Sequence, residues 1–192
     1  SGGYTLTVNE VDLTSVSPLD AIDWRNSDTI DTGPGNVATV YFAAAGENFG
    51  ETSRPVDGGG PAPSFGWNAT EKAAVMDALK EYTRILGIKY EITDSPDDAT
   101  FRIYTTTSTA FGAYFYPQDP SYGTQMGIGA FNVDNGGWGV PGQPGLNKGG
   151  YDYGVILHEF GHAHGLAHPH DNGGGSDVLL GVTAAQDSYG LY

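Results

Sequence analysis

The stretch HEFGHAHGLAHPH, from His158 to His170, contains all five histidines of this 192-residue chain. Histidines four residues apart on an α-helix differ by about 40° in azimuth and about 6 Å along the axis, so His158 and His162 project from one face. Their imidazoles can therefore share one metal ion. If the helix continued, His168 would lie about 9 Å beyond His162 and about 240° around the axis, which is outside a zinc coordination shell.

The residues after His162 predict that the helix ends and the chain turns back. Gly165 can adopt the left-handed backbone conformation of a helix C-terminus without steric cost. Pro169 favours an extended backbone at His168. We therefore predict that His158, His162 and His168 bind one zinc ion, with Zn–N distances of about 2.1 Å.

Glu159 is the predicted catalytic residue. It lies about 100° around the helix from His158, so its carboxylate can face the open coordination position of the ion without binding the metal. Three neutral imidazoles leave zinc its full charge, which lowers the pKa of a bound water to about 7. A carboxylate beside that water is placed as a general base, and the resulting hydroxide can attack a carbonyl carbon.

The other two histidines lack this support. His164 points away from the face that carries His158 and His162, so we predict that it is solvated or packed against the protein. His170 follows the third ligand and could support it from behind, but a loop histidine that faces solvent is the favoured interpretation.

Composition and charge exclude several classes of function. Aspartate and glutamate number 23 against 8 lysines and arginines, a formal charge of -15, which repels nucleic acid phosphates and anionic lipid headgroups. No apolar run is long enough to span a membrane, and SGGYTLTVNEVDL at the start lacks the pattern of a secretory signal. The absence of cysteine excludes disulfides, thiolate metal sites and a cysteine nucleophile. Neither nucleic acid nor membrane is an expected partner.

Length and periodicity predict one α+β domain, residues 37–192, preceded by an N-terminal arm, residues 1–36. A helix over Asn68–Leu86 is indicated by apolar residues at helical spacing, a capping box of Asn68 with Glu71, and Gly87 at its end. A second helix, about Tyr153–Leu166, carries the histidines. Alternation and apolar runs predict strands at Val37–Ala45, Ile88–Ile92, Ala99–Thr106, Ala110–Pro117 and Met126–Val133.

The motif from His158 to Pro169 resembles the zinc signature of the metzincin endopeptidases. The proline after the third histidine is most similar to the serralysin group of secreted bacterial metalloproteases. The resemblance is specific in this motif and diffuse elsewhere, where the order of the elements extends it over about residues 20–190. It implies a metzincin-like zincin catalytic domain with a twisted mixed sheet, a backing helix and an active-site helix.

The same resemblance implies a secreted zinc-dependent endopeptidase that hydrolyses peptide bonds of extracellular proteins, with calcium as a further ion by resemblance alone. It also makes residues 110–116 the antiparallel edge strand that pairs with an extended polypeptide substrate, a plausible mode for a protease. The alternative for this segment is an ordinary buried hairpin strand.

The sequence departs from the family pattern after the third histidine. Metzincins have a methionine-containing turn there, which in serralysins also carries a tyrosine, whereas the two methionines of this chain are Met76 and Met126. Tyr189 and Tyr192 lie in DSYGLY, which lacks methionine, so the tyrosine role is transferred to neither. We therefore expect the N-terminal part of a catalytic domain, completed by a C-terminal polypeptide that packs beneath the zinc; a divergent minimal enzyme is the alternative.

Two other functions stay open at this stage. The chain could be a catalytically incomplete zinc-binding fragment that needs the complementing C-terminal chain. It could also be a carbohydrate- or surface-binding sheet domain, as its tyrosine- and glycine-rich composition allows. This last hypothesis gives no reason for Glu159 to stand beside three correctly spaced histidines, and it ranks below the others.

Overall fold

The computed structural model describes residues 16–49, 62–109, 111–134, 138–139 and 144–185. Within these ranges the chain forms seven strands, two α-helices and two short 3₁₀ helices, Pro120–Gln125 and Gly173–Gly175. The strands are β1 (Val37–Phe42), β2 (Asn48–Phe49), β3 (Ala62–Pro63), β4 (Lys89–Thr93), β5 (Phe101–Thr106), β6 (Ala113–Phe115) and β7 (Ile128–Asn132). The α-helices are α1 (Ala69–Leu86) and α2 (Tyr151–Ala163). The predicted α+β class is confirmed.

Five strands form one mixed sheet in the order β4-β1-β5-β7-β6. Strands β4, β1, β5 and β7 are parallel, and β6 pairs antiparallel with β7 at the sheet edge. The five predicted strands correspond to these five; four have narrower bounds, and β4 is shifted by one residue from the predicted Ile88–Ile92. Strand β6 is shorter than the predicted Ala110–Pro117, and Ala110 itself lies outside the described residues.

Strand β1 ends at Phe42 rather than at the predicted Ala45 because a turn begins immediately after it. The amide of Glu47 donates to the Ala44 carbonyl at 3.2 Å. The Glu47 carboxylate accepts the Ala44 amide at 3.0 Å. These bonds redirect the backbone before Ala45 could extend the strand.

Helix α1 has the predicted caps. Its capping box joins Asn68 and Glu71 in both directions: the Asn68 side chain accepts the Glu71 amide at 3.0 Å, and the Glu71 carboxylate accepts the Asn68 amide at 2.7 Å. Gly87 ends the helix in the left-handed conformation, with φ 71°. Val75 and Leu79 are buried on the face of α1 that packs against the sheet, as the helical spacing predicts.

Both α-helices pack on one face of the sheet. The main core contains side chains from β1, β5, β6 and β7 together with residues of α1 and α2. At its centre, the Phe160 ring of α2 lies 5.7 Å from Phe101, 5.2 Å from Phe115 and 6.5 Å from Phe131, centroid to centroid. Phe160 therefore joins the helix that carries the histidines to three strands. The opposite face of the sheet carries a second cluster of buried tyrosines, Tyr104, Tyr114 and Tyr116.

In the part of the chain that the structure describes, neither α-helix combines the length and the apolar character needed to cross a membrane.

Replacing Phe160 with alanine should destabilise the protein by about 3–5 kcal/mol, because this substitution leaves a cavity between α2 and the sheet. Urea unfolding followed by circular dichroism measures the change. Ile85→Ala on α1, whose side chain is 74% exposed, is the control and should change the free energy of unfolding by less than about 0.5 kcal/mol. Equal losses in the two variants would contradict the role assigned to Phe160.

Candidate metal centre

Helix α2 begins two residues earlier than the predicted Tyr153, because Gly150 allows close packing at its start. A Cβ at Gly150 would lie 2.0 Å from the Pro144 carbonyl oxygen, so the chain can pass there only with glycine. Asp152 follows in the first turn, where a negative charge interacts favourably with the helix dipole. It is buried, and burial raises the pKa of its carboxyl.

The helix ends at Ala163, three residues before the predicted Leu166. Gly165 takes the left-handed conformation, φ 88°, as predicted. The Gly165 amide donates to the His162 carbonyl and the Leu166 amide to the Gly161 carbonyl, both at 2.9 Å. This pair of bonds is the Schellman motif, which ends a helix and reverses the chain.

The N-terminal arm holds the returning chain. The Trp24 amide donates to the Gly165 carbonyl at 2.8 Å, and the Ala167 amide donates to the Ile22 carbonyl at 2.9 Å. An isolated antiparallel bridge joins Asp23 to Leu166 between these bonds. Residues 22–24 therefore fix the backbone just before the third histidine. Sequence reasoning missed this role, because no spacing rule connects segments so far apart in the chain.

The structure brings together the three histidines that the sequence predicted. Their Nε2 atoms form a nearly equilateral triangle: 3.1 Å between His158 and His162, 3.1 Å between His158 and His168, and 3.0 Å between His162 and His168. Three nitrogens bound tetrahedrally to zinc at about 2.1 Å would lie about 3.4 Å apart. The triangle is close to this size, so these residues fit zinc.

The chemistry of the donors supports the same conclusion. The Nδ1 of His162 lies 2.7 Å from the Leu166 carbonyl oxygen, which only accepts hydrogen bonds, so Nδ1 carries the proton and Nε2 keeps its lone pair. Burial lowers the pKa of His162 to about 4, so the imidazole is neutral near pH 7. Lone pairs converging on one point repel each other unless a cation lies between them.

Glu159 lines the same cavity as the three histidines. Its side chain is 4% exposed, although it carries a carboxylate. The cavity has a volume of about 590 Å³ and is bounded by β6 and the following Tyr116, by Trp24 and Tyr122, and by residues 170–173. The site therefore combines a convergent imidazole triad, an adjacent carboxylate and an edge strand in one open cleft.

His164 has a packing role, one of the two alternatives that the sequence allowed. Its ring stacks on Tyr82 with centroids 4.5 Å apart and planes 4° apart. Its Nδ1 donates to the Phe160 carbonyl, so its Nε2 accepts the Tyr90 hydroxyl at 2.6 Å. Burial lowers the pKa of His164 to about 4. Both ring nitrogens are therefore engaged by the protein on the side away from the triad.

The expectation that His170 faces solvent is wrong. Its side chain is 21% exposed and lies against His168, with centroids 5.1 Å apart and planes 20° apart. Pro169 and the turn that follows direct His170 back towards the site rather than outward. His170 thus becomes part of the cavity wall.

Comparison with known proteins adds no family to this description. The chain matches no protein-family model, and a search of curated proteins gives no significant match. The functional argument therefore depends on the residues and their geometry.

Gly165→Val should destabilise the protein by more than about 1–2 kcal/mol and weaken zinc binding. A β-carbon disfavours the positive φ, and it would also lie 3.3 Å from the Ser27 hydroxyl oxygen. Urea unfolding and zinc titration against a chromogenic chelator measure the two effects. Gly46→Val is the matched control, because Gly46 also has a positive φ but has open space around its Cβ position, far along the chain from the histidines. It should lose stability without losing zinc affinity, and a Gly165→Val variant with wild-type zinc affinity would contradict our account of the third ligand.

Proposed function

We propose that this chain is a metzincin-like, serralysin-like zinc endopeptidase that hydrolyses extracellular proteins. His158, His162 and His168 hold the zinc, and Glu159 is the general base. The observation that carries this proposal is the convergence of three Nε2 atoms within 3.0–3.1 Å of one another, beside a buried carboxylate in one cleft. This combination of an imidazole triad and a carboxylate is typical of zinc hydrolases.

Each residue has a defined part in the reaction. When bound, zinc would act as a Lewis acid towards the scissile carbonyl and would lower the pKa of water. Glu159 accepts a proton as the water oxygen attacks the carbonyl carbon, and it then gives that proton to the amine nitrogen as the C–N bond breaks. The products are a carboxylic acid and an amine, so water is the sole co-reactant.

Strand β6 supplies the surface for the substrate backbone. It is the edge strand of the sheet, it pairs with β7 on one side, and it borders the cavity of the histidines. An extended peptide that adds to its other side would gain main-chain hydrogen bonds and pass the triad. This arrangement favours unfolded or extended polypeptide segments over compact substrates.

A second candidate function has its own supporting observation. A groove of about 680 Å³ runs along α2 and shares the three ligand histidines with the cleft. Its lining is otherwise mainly apolar: Ile22, Tyr82, Tyr151, Tyr153, Leu157, Leu166, Ala167 and Pro169, with glycines. Exposed apolar surface of this kind is costly for a protein of ordinary stability. In this alternative the chain is an incomplete zinc-binding fragment, and a complementing C-terminal polypeptide covers the groove.

The purified chain should contain one zinc ion, digest casein or a peptide, lose this activity in a chelator and regain it when zinc is returned. His162→Ala should lose both zinc and activity, because two imidazoles bind zinc far more weakly than three. Metal analysis and a fluorogenic peptide assay measure these outcomes. Zinc binding without hydrolysis would favour the fragment alternative, and mass spectrometry would then find a second polypeptide with the native protein. A chain that binds no zinc would contradict both functions.

Glu159→Ala should keep zinc and lose about two to four orders of magnitude in peptide hydrolysis, the scale expected for removal of a general base. Glu159→Gln should behave similarly, although it preserves the size of the buried side chain, because an amide does not take up the proton. The comparison uses kcat/KM of variants with measured zinc content. Activity near that of the wild type in a zinc-replete variant would show that another residue activates the water.

A further inference from the structure

Asp171 lies three residues after the third ligand, in a loop that fixes its side chain. Its Oδ1 accepts the Gly173 amide at 2.8 Å, and its backbone carbonyl accepts the Ser176 hydroxyl at 3.3 Å. The Asp171 amide in turn donates to the His168 carbonyl at 3.4 Å. One carboxylate oxygen is therefore committed to the loop, and this bond sets the direction of the other.

The other oxygen, Oδ2, faces the imidazole of the third ligand. It lies 3.6 Å from the Nδ1 of His168 and 3.7 Å from the Nε2 of His170. Because His168 directs its Nε2 at the triad, Nδ1 is the nitrogen left for other contacts. A shift of about 0.7 Å would bring Nδ1 and Oδ2 to hydrogen-bond distance.

Packing against Trp24 restricts the loop. Gly174 has φ 59°, and a Cβ there would lie 2.2 Å from the Trp24 ring, so backbone and indole are in close contact. The indole Nε1 donates to Asp119 at 2.9 Å, and the Asn26 amide donates to the Gly174 carbonyl at 3.1 Å. The loop thus restricts the Asp171 carboxylate to a position beside His168, although the side chain is partly exposed.

We propose that Asp171 is a positioning residue for the third metal ligand, an inference that rests on the proposed zinc site. Its carboxylate accepts the Nδ1 proton of His168, which fixes the tautomer whose Nε2 lone pair points at the metal and increases the basicity of that nitrogen. His162 obtains the same effect from the Leu166 carbonyl. The stacked ring of His170 also limits rotation of the His168 imidazole.

The variant Asp171→Asn tests this role in the full chain. An asparagine oxygen can still accept the Gly173 amide, but the amide nitrogen then faces His168 and cannot accept its proton. Asp177→Asn is the matched control, because it removes one negative charge from the same region of the chain. The Asp177 carboxylate pairs with Arg25, and its side chain is 41% exposed, against 46% for Asp171. Zinc affinity is measured by competition with a chromogenic chelator, and the site is also probed by the visible spectrum of the cobalt(II)-substituted protein.

We expect Asp171→Asn to raise the Kd for zinc by about 10- to 100-fold and to shift the cobalt absorption bands, whereas Asp177→Asn changes neither. The melting temperatures of the two metal-free variants should be similar. Equal zinc affinities and cobalt spectra in the two variants would overturn the proposal while leaving the zinc site in place. A wild-type chain that binds no zinc would overturn the proposed function as well.

Two other outcomes would assign a different role to Asp171. His170→Phe should keep zinc affinity within about threefold of the wild type, since a phenyl ring preserves the stacking on His168. If it weakens zinc binding as much as Asp171→Asn, and the double variant is no worse, the carboxylate acts through His170 instead.

His168, His170 and Asp171 also form a second group whose ligand atoms lie within 4.8 Å of one another. A stoichiometry of two zinc ions that falls to one in Asp171→Asn would make Asp171 a ligand.

Discussion

The site depends on the reversal of the chain at the end of α2. A helix can place two imidazoles four residues apart on one face, but it cannot place a third six residues further on beside them. The Schellman motif at Gly165 ends the helix and reverses the backbone. Without this turn, His158 and His162 would form a two-ligand site, which binds zinc too weakly to serve as a stable centre.

Tertiary contacts hold the turn on both sides. Phe160 anchors α2 to three strands of the sheet, so the sheet fixes the helix that carries His158 and His162. Residues 22–24 of the N-terminal arm pair with the chain on either side of Leu166, so these bonds fix the backbone that leads to His168. The three Nε2 atoms converge because two separately anchored segments meet, so a change in either anchor would alter the distances between these atoms.

Two partly buried histidines of α2 and its C-terminal turn share one tautomer but have different partners. His162 and His164 lie two residues apart, and burial lowers the pKa of each to about 4. In both, Nδ1 donates to a backbone carbonyl. The Nε2 of His162 then faces two other imidazoles, whereas the Nε2 of His164 receives the Tyr90 hydroxyl. The same tautomer therefore presents Nε2 to the candidate metal centre in one case and to a structural hydrogen bond in the other.

The sequence determined much of the fold and the composition of the site. Apolar spacing and the capping box located α1, short apolar runs located five strands, and glycine at position 165 located the turn, because these features depend on residues close together in the chain. The histidine spacing named three residues that the fold brings together. The tertiary structure decided the order of the strands, the ends of α2, the inward placement of His170, the packing of Gly174 against Trp24 and the position of Asp171 beside His168. These features depend on packing and hydrogen bonds between segments distant in the chain or across a loop, and local sequence patterns do not reveal such contacts.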